Sequence, residues 1–132
     1  MIIKIQVDEE KANALIKMAR ISLERLNEFN IEKYPSNTLI DYYDIFHKLL
    51  EAVSLKLGFK IKGEFAHKEL INFVSKEFNF EEEIRLFLQK MRLLRNRISY
   101  EGFLVNKNFI ILNKSLIKRI LNILFIINSL EL

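Results

Sequence analysis

The chain contains no cysteine, which removes disulfides, thiolate metal sites and thiol nucleophiles and makes a reducing, cytoplasmic setting the economical expectation. Three glycines and one proline leave little room for long loops, and no low-complexity run or internal repeat breaks the chain. Gly-rich phosphate loops, serine nucleophile elbows and zinc-ligand spacings are missing too, so a nucleotide-hydrolysing or redox enzyme is disfavoured and neither cofactor nor metal is expected. The stretch from Met1 to Asp8 is too short in apolar residues for a secretory signal. Ile120 to Leu130 is strongly apolar, but Lys118, Arg119 and Glu131 bracket it well short of the ~20 residues of a membrane span. A buried helix and no membrane contact are expected there.

What is present is a 132-residue chain of which 50% is hydrophobic, enough for one domain over 1–132 with a sizeable core. The net charge of +4 is mild, and its basic residues are scattered among acidic ones, so charge alone does not indicate nucleic acid.

Helical periodicity runs through most of the chain. Asp8 is placed to cap a helix over 9–27, with Glu9 and Glu10 in its first turn and an apolar face of Ala12, Leu15, Ile16, Ala19, Leu23 and Leu26. Ile3, Ile5 and Val7 alternate ahead of it as a short extended segment. Pro35 marks a break, with Ser36 or Asn37 as the cap of a helix over 37–57 whose wide apolar face suits the centre of a bundle. Gly58 and Gly63 bound a loop, followed by helices over 66–78 and 81–101. Phe103–Val105 and Phe109–Ile111 flank a polar turn and read as a short hairpin or extended segment. A last helix over 114–130, capped by Asn113 or Ser115, is apolar on nearly every side and must be covered by its own bundle or by a second subunit. The expected class is therefore all-α, a bundle of four to five helices.

The fourth helix carries the most informative stretch, Leu94-Arg95-Asn96-Arg97-Ile98-Ser99-Tyr100-Glu101-Gly102. Arg92, Arg95, Asn96, Ser99 and Tyr100 share one helical face and can converge on one ligand. Arg95 falls at the edge of the apolar stripe of Ile84, Phe87, Leu88, Met91, Leu94 and Ile98, so it is sheltered and needs a partner such as a carboxylate or phosphate. Glu81 to Glu83 open this helix and arginines close it, a charge order that also suits a well-made helix with no further role.

This stretch resembles the signature of HEPN domains, helical bundles in which Arg, a polar residue and then a His four residues after the Arg mark the end of a long helix. Arg95 and Asn96 match, and Tyr100 stands at the histidine position. The resemblance extends loosely over residues 10 to 130. It implies a metal-independent ribonuclease acting as a homodimer with a shared cleft, and a setting beside a small nucleotidyltransferase-type partner in a toxin–antitoxin pair. In that frame Arg95 binds the scissile phosphate, Asn96 orients a neighbour or the phosphate, Arg92 and Ser99 contact RNA, and Tyr100 replaces the acid–base group. A phenol titrates near ~10 against ~6.5 for imidazole, which points to a weak or degenerate nuclease; Tyr100 packing its ring against the bundle is the structural counterpart.

His47 and His67 show no metal-ligand spacing and read as packing or surface histidines, with His67 as a helix cap after the loop. Asp41, Asp44, Lys48 and Glu51 read as a solvated outer face. The competing function is a non-catalytic dimerisation or docking module in which Arg95 holds a buried polar network.

Overall fold

The computed structural model describes residues 1–132. Its elements are β1 (Ile2–Lys4), α1 (Glu9–Asn27), α2 (Pro35–Leu57), β2 (Phe59–Ile61), α3 (Ala66–Glu77), α4 (Glu82–Glu101) and α5 (Lys107–Asn128). The chain is thus a five-helix, mostly α-helical domain with one small sheet. No helix is long and apolar enough to cross a membrane.

Helix α1 starts as its sequence requires: the Asp8 carboxylate accepts from the Lys11 amide at 3.0 Å, satisfying one of the first-turn donors that have no partner inside the helix. Its buried positions are Ala12, Ala19 and Leu26. Two of these heptad-spaced residues are alanine, so α1 lies close along α2. Helix α2 is the centre. Leu39, Ile45, Phe46, Leu49 and Val53 have no exposed surface, and α1, α3, α4 and α5 all contact it.

The N-terminal segment is extended as expected, but its partner lies in the stretch read as a loop. β1 and β2 pair antiparallel, with Ile2 opposite Ile61 and Lys4 opposite Phe59. Gly58 makes this turn possible. It ends α2 at φ 83°, and a β-carbon there would stand 3.1 Å from the Ile5 carbonyl, which is bonded nearby through the Ile5 amide to the Gly58 carbonyl at 2.8 Å.

Three expectations are corrected. Helix α2 begins at Pro35, with neither Ser36 nor Asn37 as its cap; the Ser36 hydroxyl instead accepts from the Val105 amide at 3.0 Å. No hairpin forms over 103–111. Phe103 to Val105 runs as a loop, Asn106 caps α5 through the Asn108 amide at 2.9 Å, and Asn113 and Ser115 lie inside the helix. The β-like composition of Phe109-Ile110-Ile111 is overridden by packing: Ile110 is fully buried, and the Phe109 ring stacks 6.3 Å from Phe87. Finally, the last helix spans Lys107–Asn128 rather than 114–130, and of the two covers expected for its apolar face its own bundle supplies most. Ile120, Leu121, Leu124 and Ile127 are buried within the bundle, whereas Ile126 and Leu130 remain exposed.

The early start of α5 is open to test. Asn106→Ala is expected to cost about 1 kcal/mol by urea denaturation, the usual loss for a side-chain cap. A helix starting at Asn113 would leave stability unchanged by that substitution.

Candidate functional site at the cleft between α3 and α4

A row of polar contacts locks α3 onto α4. Arg85 Nη1 donates to Asn72 Oδ1 at 2.9 Å. Gln89 Nε2 donates to the same oxygen at 3.1 Å and to the Lys68 carbonyl at 3.0 Å. Arg92 Nε then donates to Gln89 Oε1 at 2.7 Å. Residues 85, 89 and 92 are helical neighbours, so this ladder fixes the first turn of α3, with His67 and Lys68, beside the motif of α4.

Above the ladder the two helices part into a cleft of about 290 Å³, lined by the turn from Gly63 to Lys68 and by Arg92, Arg95, Asn96 and Tyr100. Four of the five motif residues therefore share one cavity. Ser99 does not line it and is exposed elsewhere. Tyr100 stands at the rim with 78% of its surface exposed, so it does not pack against the bundle.

Arg95 is sheltered, as its place on the stripe required, and its side chain keeps 26% exposure. Its nearest carboxylate oxygen, Asp44 Oδ1, is 3.9 Å from Nε, too far for a hydrogen bond. The buried Nε–H has no hydrogen-bond partner. An unpaired guanidinium donor out of water is costly, and an anion entering the cleft would relieve that cost. Arg97, by contrast, turns away and lies 3.9 Å from the Phe103 ring centroid.

The two histidines pack on one another at the edge of this cleft, which His67 lines. The rings of His47 and His67 stack with centroids 4.0 Å apart, and the Tyr43 hydroxyl is 3.1 Å from His67 Nδ1. His67 does not cap α3; that position is Phe65, with no side-chain cap. Burial lowers the pKa of His67, and Arg95 and Arg92 lower it further, so the ring is neutral at neutral pH. His47 is driven down to about 4, first by burial and then by His67, Lys48 and Arg95, despite the Glu51 carboxylate 3.8 Å away. Burial pushes the Tyr43 phenol up to about 12, keeping its proton in place. Tyr43, Asp44 and His47 lie on adjacent turns of α2, where periodicity alone read Tyr43 as part of the apolar stripe, His47 as its flank and Asp44 as a solvated outer residue.

The supposed solvated face of α2 is correspondingly engaged. Asp44 faces Arg95, Asp41 lies 4.0 Å from Arg25, and Glu51 lies 3.7 Å from Lys11. No group of three or more His, Asp or Glu side chains is arranged as metal ligands. A larger cavity, about 520 Å³ between α1 and α2, holds none of the motif residues. No protein-family model matches the chain, and no curated protein and no solved structure matches it either.

The suppressed basicity of His47 sets a pH dependence. In the unfolded chain the ring takes up a proton near its ordinary pKa of 6.5, but in the folded chain only near 4. Its contribution is therefore fully present above about pH 6.5 and declines as pH falls toward 4. In His47→Gln the loss of stability on acidification across that window should shrink by on the order of 2 kcal/mol. Urea denaturation of both chains at several pH values reads this, and equal slopes would show a ring that accepts its proton freely in the fold.

Proposed function

We propose that this protein is an RNA-associated, HEPN-like helical domain whose α3–α4 cleft holds a backbone phosphate and supports slow, metal-independent cleavage of single-stranded RNA. The observation that carries this reading is the sheltered, incompletely bonded Arg95 guanidinium on the wall of a cleft that also exposes His67. Arg95 and Arg92 bind the phosphate and stabilise charge developing on it. His67 supplies the proton-transfer group missing from position 100. In the tautomer whose Nδ1–H donates to the Tyr43 hydroxyl, Nε2 is the basic nitrogen and takes the proton of the 2′-hydroxyl, whose oxygen attacks phosphorus as the bond to the 5′-oxygen breaks. Tyr100 donates a hydrogen bond to that leaving oxygen, which takes its proton from solvent while the protonated His67 returns its own to solvent, and Asn96 orients the phosphate. The products are a 2′,3′-cyclic phosphate and a 5′-hydroxyl.

Binding and cleavage separate in the test. Affinity for a short single-stranded RNA should fall with salt, and Arg95→Ala should flatten the log–log slope by about 0.7, one phosphate contact. His67→Gln should leave binding near its parent value and lower cleavage by roughly 100-fold or more, with chelator making no difference. Binding without cleavage in the parent chain would favour the non-catalytic alternative, in which the cleft only docks RNA.

The same reading includes a homodimer through the motif helix. Leu86, Leu93 and Tyr100 are 54%, 53% and 78% exposed and recur every seven residues along α4, a stripe suited to packing on a second helix. Leu112 on α5 is a further uncovered apolar side chain, 81% exposed. A second copy seated there brings two clefts to one interface. The toxin–antitoxin setting and a nucleotidyltransferase-type partner rest on the family resemblance alone. Leu93→Glu should convert a sedimenting dimer to monomer with the helical circular dichroism unchanged; a parent chain that is monomeric at high micromolar concentration would overturn the dimer.

A further inference from the structure

The largest cavity of the molecule, about 520 Å³, lies between the last turn of α1 and the first turns of α2, and its walls include Arg25, Phe29, Tyr34, Asn37 and Asp41. Two features are unusual for a plain surface hollow. Phe29 and Tyr34 leave 64% and 62% of their surface exposed, although large aromatic rings normally find cover. Arg25 Nη2 and Asp41 Oδ1 face each other across 4.0 Å, beyond hydrogen-bond length, so the pair can open to a ligand that offers both an acceptor and donors.

The loop carrying the rings is preformed. Asn30 Oδ1 accepts from the Glu32 amide at 3.0 Å, the Asn30 carbonyl accepts from the Lys33 amide at 3.1 Å, and the Thr38 hydroxyl donates to the Ile31 carbonyl at 2.7 Å. A planar ligand therefore meets a loop whose backbone is already ordered, with the Phe29 ring open and the Lys33 ammonium 5.5 Å from the Tyr34 ring centroid. Planar aromatic ligands that stack on exposed rings and hydrogen-bond through one edge are nucleobases.

The polar pair selects among them. A carboxylate offers two acceptors side by side, and guanine is the base whose pairing edge offers two adjacent donors, N1–H and the N2 amino group. Adenine and cytosine each present one donor beside one acceptor, and uracil presents one donor between acceptors. Arginine is the usual partner of guanine O6 and N7, so Arg25 completes the match at the other end of the edge.

We propose that the α1–α2 cavity is a guanine subsite, with the base stacked on Phe29 or Tyr34 and its edge held by Asp41 and Arg25. Placement relates it to the phosphate cleft. Asp41 and Asp44 are neighbours on α2, with β-carbons about 5–6 Å apart; Asp44 is 3.9 Å from Arg95 and Asp41 is 4.0 Å from Arg25. A strand whose phosphate lies on Arg95 therefore passes within reach of the subsite. Partial burial raises the Asp41 pKa, and the Arg25 guanidinium opposes that shift.

As a specificity determinant for RNA this inference rests on the RNA reading above, and the experiment separates the two. The probes are nine-residue oligouridylates carrying one central guanine, inosine, adenine or uracil, measured by fluorescence anisotropy at fixed salt. The guanine probe should bind roughly 10-fold more tightly than the adenine or uracil probe, and inosine, which lacks the N2 amino group, should lose part of that gain. Asp41→Asn should erase the preference, read as the ratio of guanine-probe to all-uridine affinity in the same variant. RNA bound equally whatever its central base, or a preference that survives Asp41→Asn, overturns the subsite and leaves the phosphate cleft standing. If no oligonucleotide binds, guanosine and adenosine 5′-monophosphates are compared by NMR shift mapping on the full chain. Guanosine-selective shifts at Phe29, Tyr34 and Asp41 then uphold the subsite while the RNA reading falls; no such shifts overturn both.

Discussion

Helix α2 is buried at thirteen of its twenty-three residues, and every other helix of the fold packs against it. A helix covered on this many sides has to hand each of its polar residues a specific neighbour, because water reaches few of them. Its apolar flank takes α1 and α5. Its remaining flank carries Tyr43, Asp44, His47 and Glu51, and the elements covering it are the first turn of α3 and the later turns of α4. The chemistry of the molecule gathers along that seam because burial of α2 forces polar groups from three helices into one place.

Within the seam the balance of effects is visible. His47 lies beside the Glu51 carboxylate, which favours a charged ring, yet desolvation together with nearby cations wins and leaves it neutral. Arg95 leaves an unpaired Nε–H buried in the same seam, at a cost in desolvation. Such a group is held in place by its surroundings rather than by its own interactions: the Gln89 ladder and the buried stripe of Ile84, Leu88 and Met91 determine where α4 lies, and Arg95 follows. Sites that bind anions commonly carry this cost in the unbound state.

Local signals accounted for much of the fold. The Asp8 cap, the heptad-spaced alanines of α1, the glycines after α2 and α4 and the acidic opening of α4 each act over one or two turns, and each appears where its residues stand. Failures came where two local states were close in energy. Phe103 to Ile111 has strand-like composition around a polar turn, and its conformation was settled by Ile110 and Phe109 finding cover against the bundle as a helix. The sheet was half visible, since three alternating residues before α1 say nothing about which later segment pairs with them.

The site divides the same way. That Arg92, Arg95, Asn96 and Tyr100 lie along one side of a helix, with Arg95 near the apolar edge, follows from the 3.6-residue period, and the sequence by itself determined it. The helical class, the central place of α2 and the lack of a membrane-crossing helix were determined likewise, by composition and periodicity. The meeting of His67 with His47 and Tyr43, separated by twenty-four residues from Tyr43 to His67, was decided by tertiary structure alone, as was the facing of Asp44 to Arg95. No periodicity links residues on different helices; their contact depends on the crossing of α3 and α4 over α2, and that crossing is set by how the buried side chains interlock.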